Sequence, residues 1–411
     1  MELISTKNMN SELGVIPENW DVVNLGDIAK IVGGSTPKTN DLRYWNGAIN
    51  WFTPTEIGTQ KYVTESKRTL SEMGLNACSV TILPVGAILL TSRAGIGDLA
   101  ILTEEACTNQ GFQSLIPSEN VYGEFLYYLI SSKKGELLKY ASGSTFLEIS
   151  PSKVRAIKLP LPPFSEQTAI ATALSDMDAL ISNLEKLIEK KRMIKQGAMQ
   201  ELLKPKEGWE VKSLGNLTKI FTKQTGFDYT AYIKPSLVQE KKVDTIPFIQ
   251  NKDFNNRWIN FNTDYFIPRT IAIQFPKILL DEKALLISIS GSVGNVGLFD
   301  SQELAFIGGA IAVLKFKNPD LIDWVMFYLK SIKGQKVLLN NVKAGSHQNL
   351  ILDDIRKIEI PFPTIQQQTY ITKILTNMDL ELSSLESMIS KYTLIKQGMM
   401  QSLLTGRVRL I

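Results

Sequence analysis

Histidine is nearly absent from this 411-residue chain, where His347 is the only one. Catalysis by a Ser-His pair, or a metal held by several imidazoles, has at most this one residue to draw on. Its setting in Gly345-Ser346-His347-Gln348-Asn349 suits a polar contact loop better. Cysteine is scarce too: Cys78 and Cys107 are the only two and make no CxxC, so neither a disulfide framework nor a zinc knuckle is expected. Both read as small core residues. No Gly-Lys dipeptide occurs, which removes the phosphate-binding P-loop. The only Pro-Asp pair, Pro319-Asp320, is followed by no Glu-x-Lys, so a nuclease-type carboxylate cluster for Mg²⁺ is not expected. No metal site is foreseen. No run approaches the roughly 18 apolar residues of a membrane span. Residues Met1 to Asn10 lack a basic start followed by an apolar core, so the expectation is a cytoplasmic protein with no membrane partner.

Nor is there a large surplus of one charge. Hydrophobic residues make up 44% and charged residues 21%, enough for two or three buried cores in a globular chain, and the net charge is +4. Residues 1–163 hold 14 basic and 16 acidic side chains, a net of −2, whereas residues 204–363 hold 21 and 16, a net of +5. A nucleic-acid footprint on the first half would therefore be a local face, because counterion release depends on cations placed against phosphates and not on a domain total.

What is present is a repeat. Residues 164–203 align without gaps on residues 365–404, an offset of 201, with 19 of 40 positions identical. Ile194-Lys195-Gln196-Gly197 stands against Ile395-Lys396-Gln397-Gly398. Upstream, Trp20, Leu25 and Gly26 match Trp209, Leu214 and Gly215 at an offset of 189, Gly97 matches Gly294 at 197, and Pro160 and Pro162 match Pro361 and Pro363 at 201. The second copy thus carries about a dozen extra residues, all ahead of its tail. Each copy is a divergent domain followed by a similar tail.

The tails read as long helices. Ile170, Leu174, Met177, Ile181, Leu184 and Ile188 recur at spacings of three and four, and Ile371, Leu375, Met378, Leu382, Leu385 and Ile389 repeat the pattern. Prolines 160, 162 and 163, and 361 and 363, end the strand that precedes each helix. Forty helical residues span roughly 60 Å, too long to bury in one domain. Matching stripes predict that the two helices pack on each other, the alternative being that each covers only its own domain. Within the domains, Ala87-Ile88-Leu89-Leu90 and Ala284-Leu285-Leu286-Ile287 read as buried strands leading into Gly-rich turns. Helices with aromatic faces, Glu124 to Leu129 and Asp323 to Leu329, follow and are read as core.

Leu161-Pro162-Pro163-Phe164 comes close to the Asn/Asp-Pro-Pro-aromatic tetrapeptide of amino-methyltransferases, but Leu161 cannot hydrogen-bond a target amine. The composite pattern is similar to the specificity subunit of type I restriction-modification systems. The residues that carry this are Gly33-Gly34-Ser35-Thr36-Pro37, Tyr44-Trp45-Asn46-Gly47, Ser92-Arg93-Ala94-Gly95-Ile96-Gly97, Thr108-Asn109-Gln110-Gly111-Phe112, Gly143-Ser144-Thr145-Phe146, Leu159-Pro160-Leu161-Pro162-Pro163 and the two IKQG helix ends, over nearly the whole chain.

The resemblance implies an α+β fold. Two mixed target-recognition domains, residues 1–163 and 204–363, would be held apart by helices in 164–203 and 364–411 that pack as an antiparallel coiled coil with approximate twofold symmetry. It implies a non-catalytic subunit that reads an asymmetric bipartite site on double-stranded DNA. Two methyltransferase subunits would dock on it, restriction subunits would join later, and S-adenosylmethionine and ATP would be bound by those partners and not by this chain. The second domain has Phe221-Thr222-Lys223-Gln224-Thr225-Gly226 where the first has its Gly-Gly-Ser-Thr-Pro run, so the two halves should read different bases. The alternative is a bivalent coiled-coil scaffold that binds proteins and no DNA.

Candidate DNA contacts lie on these loops. Thr36, Lys38, Arg43 and Arg93 offer donors to phosphate or a guanine edge, and Asn109, Gln110, Asn251 and Gln348 can pair two hydrogen bonds with adenine. Ser144, Thr145, Lys223, Gln224, Lys252, Arg257, Ser292 and His347 complete the set, whereas Trp45, Trp51 and Trp258 read as core or loop anchors. Leu174, Met177, Ile181, Leu184 and Ile188 are expected to meet Leu375, Met378, Leu382, Leu385 and Ile389 in the helix seam. The order domain, helix, domain, helix is cyclic, so Leu403-Leu404-Thr405-Gly406 should approach the segment before Trp20.

Overall fold

The computed structural model describes residues 7–78, 80–142, 147–340 and 349–410. It divides into two compact units, Met1–Glu185 with Met388–Ile411, and Lys186–Ser387. Each unit takes a sequence domain together with part of both tails, because the stripe of each tail is buried against whatever lies beside it.

The repeat is visible in strand topology. In the first unit a five-stranded sheet runs in the spatial order Ala29–Gly33, Gln113–Pro117, Ile88–Leu90, Leu99–Leu102, Tyr62–Val63. The second unit has Thr218–Lys223, Ile311–Phe316, Ala284–Ser288, Val296–Phe299, Trp258–Ile259, with Phe254–Asn255 added at the edge. Pairing is antiparallel throughout except where Tyr62–Val63 meets Leu99–Leu102, and its counterpart at Trp258 and Leu298 is parallel too. A smaller sheet centres on Trp45–Phe52, parallel to Ala106–Thr108 and antiparallel to Arg68–Leu70. Thr245–Ile249 repeats this between Ala305–Ile307 and Phe266–Pro268. The strands read as buried from their apolar runs, Ile88–Leu90 and Ala284–Ser288, are wholly buried in each sheet.

Helix α1 (Gly123–Ser132) lays Phe125, Tyr128 and Leu129 into the first core, and helix α3 (Ile322–Lys330) does the same with Trp324 and Phe327. Their aromatic faces are core and not a stacking platform. Between and after them run the long helices α2 (Phe164–Leu202) and α4 (Ile365–Leu403), each 39 residues. Each starts just after a proline-bearing strand, Lys158–Leu161 or Glu359–Phe362. The entry is tied down the same way in both: the side-chain amide of Gln167 donates to the Pro162 carbonyl, and that of Gln368 to Pro363.

Both readings of the long helices hold, at different stretches. In the first unit Ile170, Ala171 and Leu174 share one core with Leu403 and Leu404, so the start of α2 lies against the end of α4 as well as against its own domain. In the second unit Ile371 and Leu375 share a core with Met199 and Leu203. Ion pairs follow the same antiparallel sense: Glu166 to Arg409 and Asp178 to Lys396 in the first unit, Arg192 to Glu386 and Lys195 to Asp379 in the second. Leu174, Leu184, Ile188, Leu375 and Leu382 are buried, and Met177, Ile181, Met378, Leu385 and Ile389 are half-buried. A fully buried Leu or Ile at such a position stabilises by about 1.5–3 kcal/mol.

The end of the chain returns to the segment before Trp20. Gly406, at φ 70°, lies so close to Pro17 that a Cβ there would come 2.4 Å from the proline ring. Among the described residues no helix is long and apolar enough to cross a membrane.

Candidate nucleic-acid interface

In the first unit, four loops and one strand end are joined into one cluster. Gly34 is pressed against the 108–111 loop: a Cβ would sit 2.1 Å from the Asn109 carbonyl, so only glycine fits, and the next amide, Ser35, donates to the Thr108 carbonyl. Across this contact the Thr36 hydroxyl donates to the Gln110 side-chain oxygen at 2.5 Å. The Asn109 amide donates to the Phe52 carbonyl, which brings in the Thr53–Thr55 turn, and Gly111 lies against Pro54. Ser92 donates its amide to Gly111, and Ile149 donates to Ser92. Beside it Arg93 pairs with Glu148 at 2.9 Å, while its Nε has no partner among the described residues.

The second unit builds the same cluster from different residues. Gly308 donates to Ile249, Ile289 to Ala310, and Leu350 to Ile289, the counterparts of Asn109 to Phe52, Ser92 to Gly111 and Ile149 to Ser92. The turn after the central strand is held alike in both. Thr91 Oγ1 donates to the Gly95 carbonyl and accepts from the Asp98 amide, as Ser288 does with Ser292 and Asn295. Gly97 and Gly294 both sit at φ 89°, and a Cβ there would press on the short helices Lys134–Tyr140 and Ile332–Leu339 respectively. Next to Arg93, Ala94 takes φ 37°, where the second unit has Gly291 at 76°. That strain on a non-glycine residue, of order 1 kcal/mol, marks a loop whose shape is imposed from outside.

The candidates fall into distinct settings. Lys38 and Gln110 are exposed, and Thr36 and Asn109 half-exposed with their polar groups bonded to neighbouring loop residues. Arg43 is exposed and doubly bonded to Asp41, whose carboxyl it holds down at about 2, so a phosphate must compete with that pair. Lys223 is exposed and lines a cleft of about 590 Å³ with Ser290, Gly309, Asn349 and Arg356. Asn251 donates to the Ser290 carbonyl, and Asn251 and Lys252 line a second cleft of about 300 Å³ that shares Gly309. Lys252 is paired with Asp264, and Ser292 is exposed in its turn. Ser144, Thr145, His347 and Gln348 lie outside the described residues.

Two candidates need correction. Arg257 is 4% exposed, with its two terminal nitrogens donating to Asp323 and Thr376 inside the second unit and its Nε without a partner among the described residues, so the side chain is turned into the unit and not onto its surface. Gln224 is 3% exposed and neither end of its amide has a partner among the described residues. It belongs to the cluster but under its surface, with Oε1 beside Gly309. Trp45 and Trp51 are buried and meet edge to face at 5.0 Å, and Arg68 stacks on Trp45 at 3.5 Å. Arg68 and Glu148 were not singled out from sequence, since neither stands in a glycine-rich run.

The loops differ by a reciprocal exchange. Gly33 pairs with Gln113 and Lys223 with Ala312 at matching places in the two sheets, so Gly34 corresponds to Gln224 and Gln110 to Gly309. At these positions the first unit has glycine on the first loop and glutamine on the second, and the second unit has the reverse.

The profile described as "Type I restriction modification DNA specificity domain" matches twice, at residues 17–192 and 206–391. The chain is 34% identical to the type I restriction enzyme MjaIX specificity subunit of Methanocaldococcus jannaschii, over 70% of this chain and 69% of that protein. To the putative type I restriction enzyme MjaX specificity subunit of the same organism it is 28% identical, over 97% of this chain and 96% of the relative. Among solved structures, the type I restriction-modification S subunit from M. genitalium superposes with a TM-score of 0.58 at 17% identity, covering 94% of this chain and 96% of that one. A chain solved in work on complex assembly and conformational transition of the type I R-M system also gives 0.58, at 18% identity and 95% and 99% coverage. These two share the fold.

Proposed function

Because the chain belongs to the family of the type I restriction modification DNA specificity domain, we propose that it reads an asymmetric bipartite site on double-stranded DNA and brings methyltransferase subunits to it, catalysing no reaction itself. The observation that carries this reading is one loop cluster built twice on one topology whose exposed positions differ, Gln110 in one unit against Gly309 in the other, and Gly33 against Lys223. A shared scaffold with different polar groups is what reading two unlike half-sites requires, since bases are told apart by the pattern of donors and acceptors at their edges. Lys38, Lys223 and the Arg93 side chain supply cations at the cluster for phosphate or guanine.

Residues 1–163 and 204–363 act as the recognition domains and 164–203 and 364–411 as spacers. The partners dock on the long helices. Met193 and Ile194 are 61% and 52% exposed on α2, and their repeat counterparts Leu394 and Ile395 are 67% and 39% exposed on α4. Adjacent exposed apolar side chains of this kind mark contact surfaces, and their occurring twice suits two methyltransferase copies. Restriction subunits join that assembly.

The test is methylation mapping with S-adenosylmethionine. The chain alone should transfer no methyl group, and the chain with its methyltransferase subunits should modify one bipartite sequence. Methylation by the chain alone would refute the non-catalytic role. Binding of the complex to duplex DNA without steep salt dependence would favour a protein scaffold.

A further inference from the structure

Away from the loop clusters, both units carry the same polar knot between one equivalent sheet strand, the aromatic helix and a long helix. In the first unit Lys61, just ahead of strand Tyr62–Val63, donates to Glu124 on α1 at 2.9 Å, to the Tyr128 hydroxyl at 3.0 Å and to Ser175 on α2 at 2.8 Å. Ser175 in turn donates to Glu124 at 2.7 Å. In the second unit Arg257, just ahead of strand Trp258–Ile259, bonds Asp323 on α3 and Thr376 on α4, with Phe327 under its guanidinium at 5.1 Å. The correspondence is set by backbone: Ile101 donates to the Lys61 carbonyl and Leu298 to that of Arg257, both at 2.7 Å. Cation, carboxylate, hydroxyl and aromatic ring are therefore kept at four equivalent positions, Lys/Arg, Glu/Asp, Ser/Thr and Tyr/Phe, in copies whose loops have diverged.

The knot is built to hold. Burial alone would raise the Glu124 carboxyl, but hydrogen bonds from Tyr62, Lys61 and Ser175 outweigh it and keep the group below the usual carboxylate range. The Lys61 side chain is 14% exposed and that of Arg257 5%. A cation at such depth is worth retaining only where its partners are fixed, since desolvation offsets much of the attraction. An apolar contact would bury the same surface without specifying an angle, whereas three directed bonds from one ammonium tie a sheet edge to two helices at once.

We propose that Lys61 and Arg257 are positioning residues that set the angle at which each recognition domain sits on its spacer helix, and thereby the spacing between half-sites that the complex accepts. The inference rests on the DNA-reading function proposed above. Neither residue touches the loop cluster, so the bases read in each half are unaffected.

The experiment uses the full chain assembled with its methyltransferase subunits on a duplex library. In the library both half-sites are fixed and the number of base pairs between them varies. Lys61→Met should lower discrimination against spacings one base pair off by about tenfold, the worth of one hydrogen bond to a charged group. Lys61→Arg, the second unit's solution, should restore it. Ser175→Ala and Thr376→Val remove only the hydroxyl arm and keep the fold if Lys61→Met does not, and each should relax spacing in part. A lower melting temperature with unaltered spacing preference in these variants would overturn the proposal and leave the knot a structural cross-link. Failure of the unmodified complex to methylate any specific sequence would count against the DNA-reading function instead.

Discussion

Lys195 and Asp379 form an ion pair across the long helices of the second unit, and their repeat counterparts Lys396 and Asp178 form the same pair in the first. The surroundings differ. In the first unit the Tyr128 hydroxyl donates to Asp178 at 2.6 Å. The second unit has Phe327 at that place, and Asp379 Oδ2 is left without a partner among the described residues. The side chains of Lys195 and Asp379 are 13% and 5% exposed, those of Lys396 and Asp178 25% and 32%. Lys195→Met should therefore cost about 3–5 kcal/mol by stranding a buried carboxylate. Lys396→Met should cost about 1 kcal/mol or less, and adding Asp379→Leu to Lys195→Met should recover most of the loss. Urea unfolding of the three variants checks the order.

Lys330 lies near this pair and donates to the carbonyls of Asn256 and Val296. Burial, with repulsion from Lys195 and Arg257 against attraction from Asp379, lowers its pKa to about 8. A lysine depressed in the folded state is charged in the unfolded chain up to about pH 10.4. The folded form thus carries a penalty below pH 8 that is relieved as the pH rises from about 8 toward 10. This group alone should raise stability by up to about 3 kcal/mol over that window, against which the Cys107 thiol, pushed up to about 12 by burial, works from about pH 8.5. Above it the gain ends and Tyr127, held up at about 12 by burial, begins to oppose it. Lys330→Met should lower the slope of stability against pH between 8 and 10, and a slope left unchanged by it would exclude this origin.

Much of this was legible in the sequence where the signal was periodic or repeated. The spacings of three and four along Ile170 to Ile188 foretold α2 and α4 because a helix buries one stripe whatever lies opposite. The self-match of Gly97 with Gly294 marked the glycine-rich turn that follows the buried strand in both copies. Individual polar roles were not legible. Arg257 follows Asn255-Asn256 and reads as a loop cation, yet its acid and hydroxyl partners stand 66 and 119 residues away. Gln224 stands in a polar run, and only the glycine at 309, on another loop, makes room for it under the surface. Lys61 with Glu124 could have been found by setting them beside Arg257 and Asp323 at the repeat offset, a comparison of chemical type instead of identity.

Arg93 and Lys38 offer different tests of base reading because of their partners. Arg93 is tied to Glu148 and keeps a fixed fork, suited to a guanine edge, whereas Lys38 is exposed and free to follow a phosphate. Arg93→Ala should cost about 1–3 kcal/mol on the preferred target and relax one position of the half read by the first domain. Lys38→Ala should weaken all sequences alike and lower the salt dependence. Selection from randomised duplexes, repeated at two salt concentrations, separates these. Relaxation of both halves by either change would speak against independent domains.

A fragment ending at Leu203 should form a homodimer, for a reason rooted in the repeat. In the first unit Ile170, Ala171 and Leu174 are covered in part by Leu403 and Leu404. The fragment loses those residues but keeps their counterparts, Leu202 and Leu203, so a second copy can lay the end of its own α2 over the exposed stripe in an isologous contact. What a second copy does not supply is Arg409. That side chain grips Glu166 through two bonds, at 2.5 and 2.7 Å, while Trp20 donates to the same carboxylate at 2.9 Å, and Glu166 is only 4% exposed. The second unit has Gln367 in place of Glu166, a neutral side chain that needs no cation. Glu166→Gln should accordingly strengthen the fragment dimer by about 1–3 kcal/mol, and weaken the full chain by stranding Arg409. Sedimentation equilibrium of both fragments measures the first effect and thermal unfolding of the full chain the second. A fragment that stays folded and monomeric at tens of micromolar would show that the end of α2 cannot replace the end of α4. A dimer indifferent to Glu166→Gln would show that Arg409 is not what makes this carboxylate tolerable.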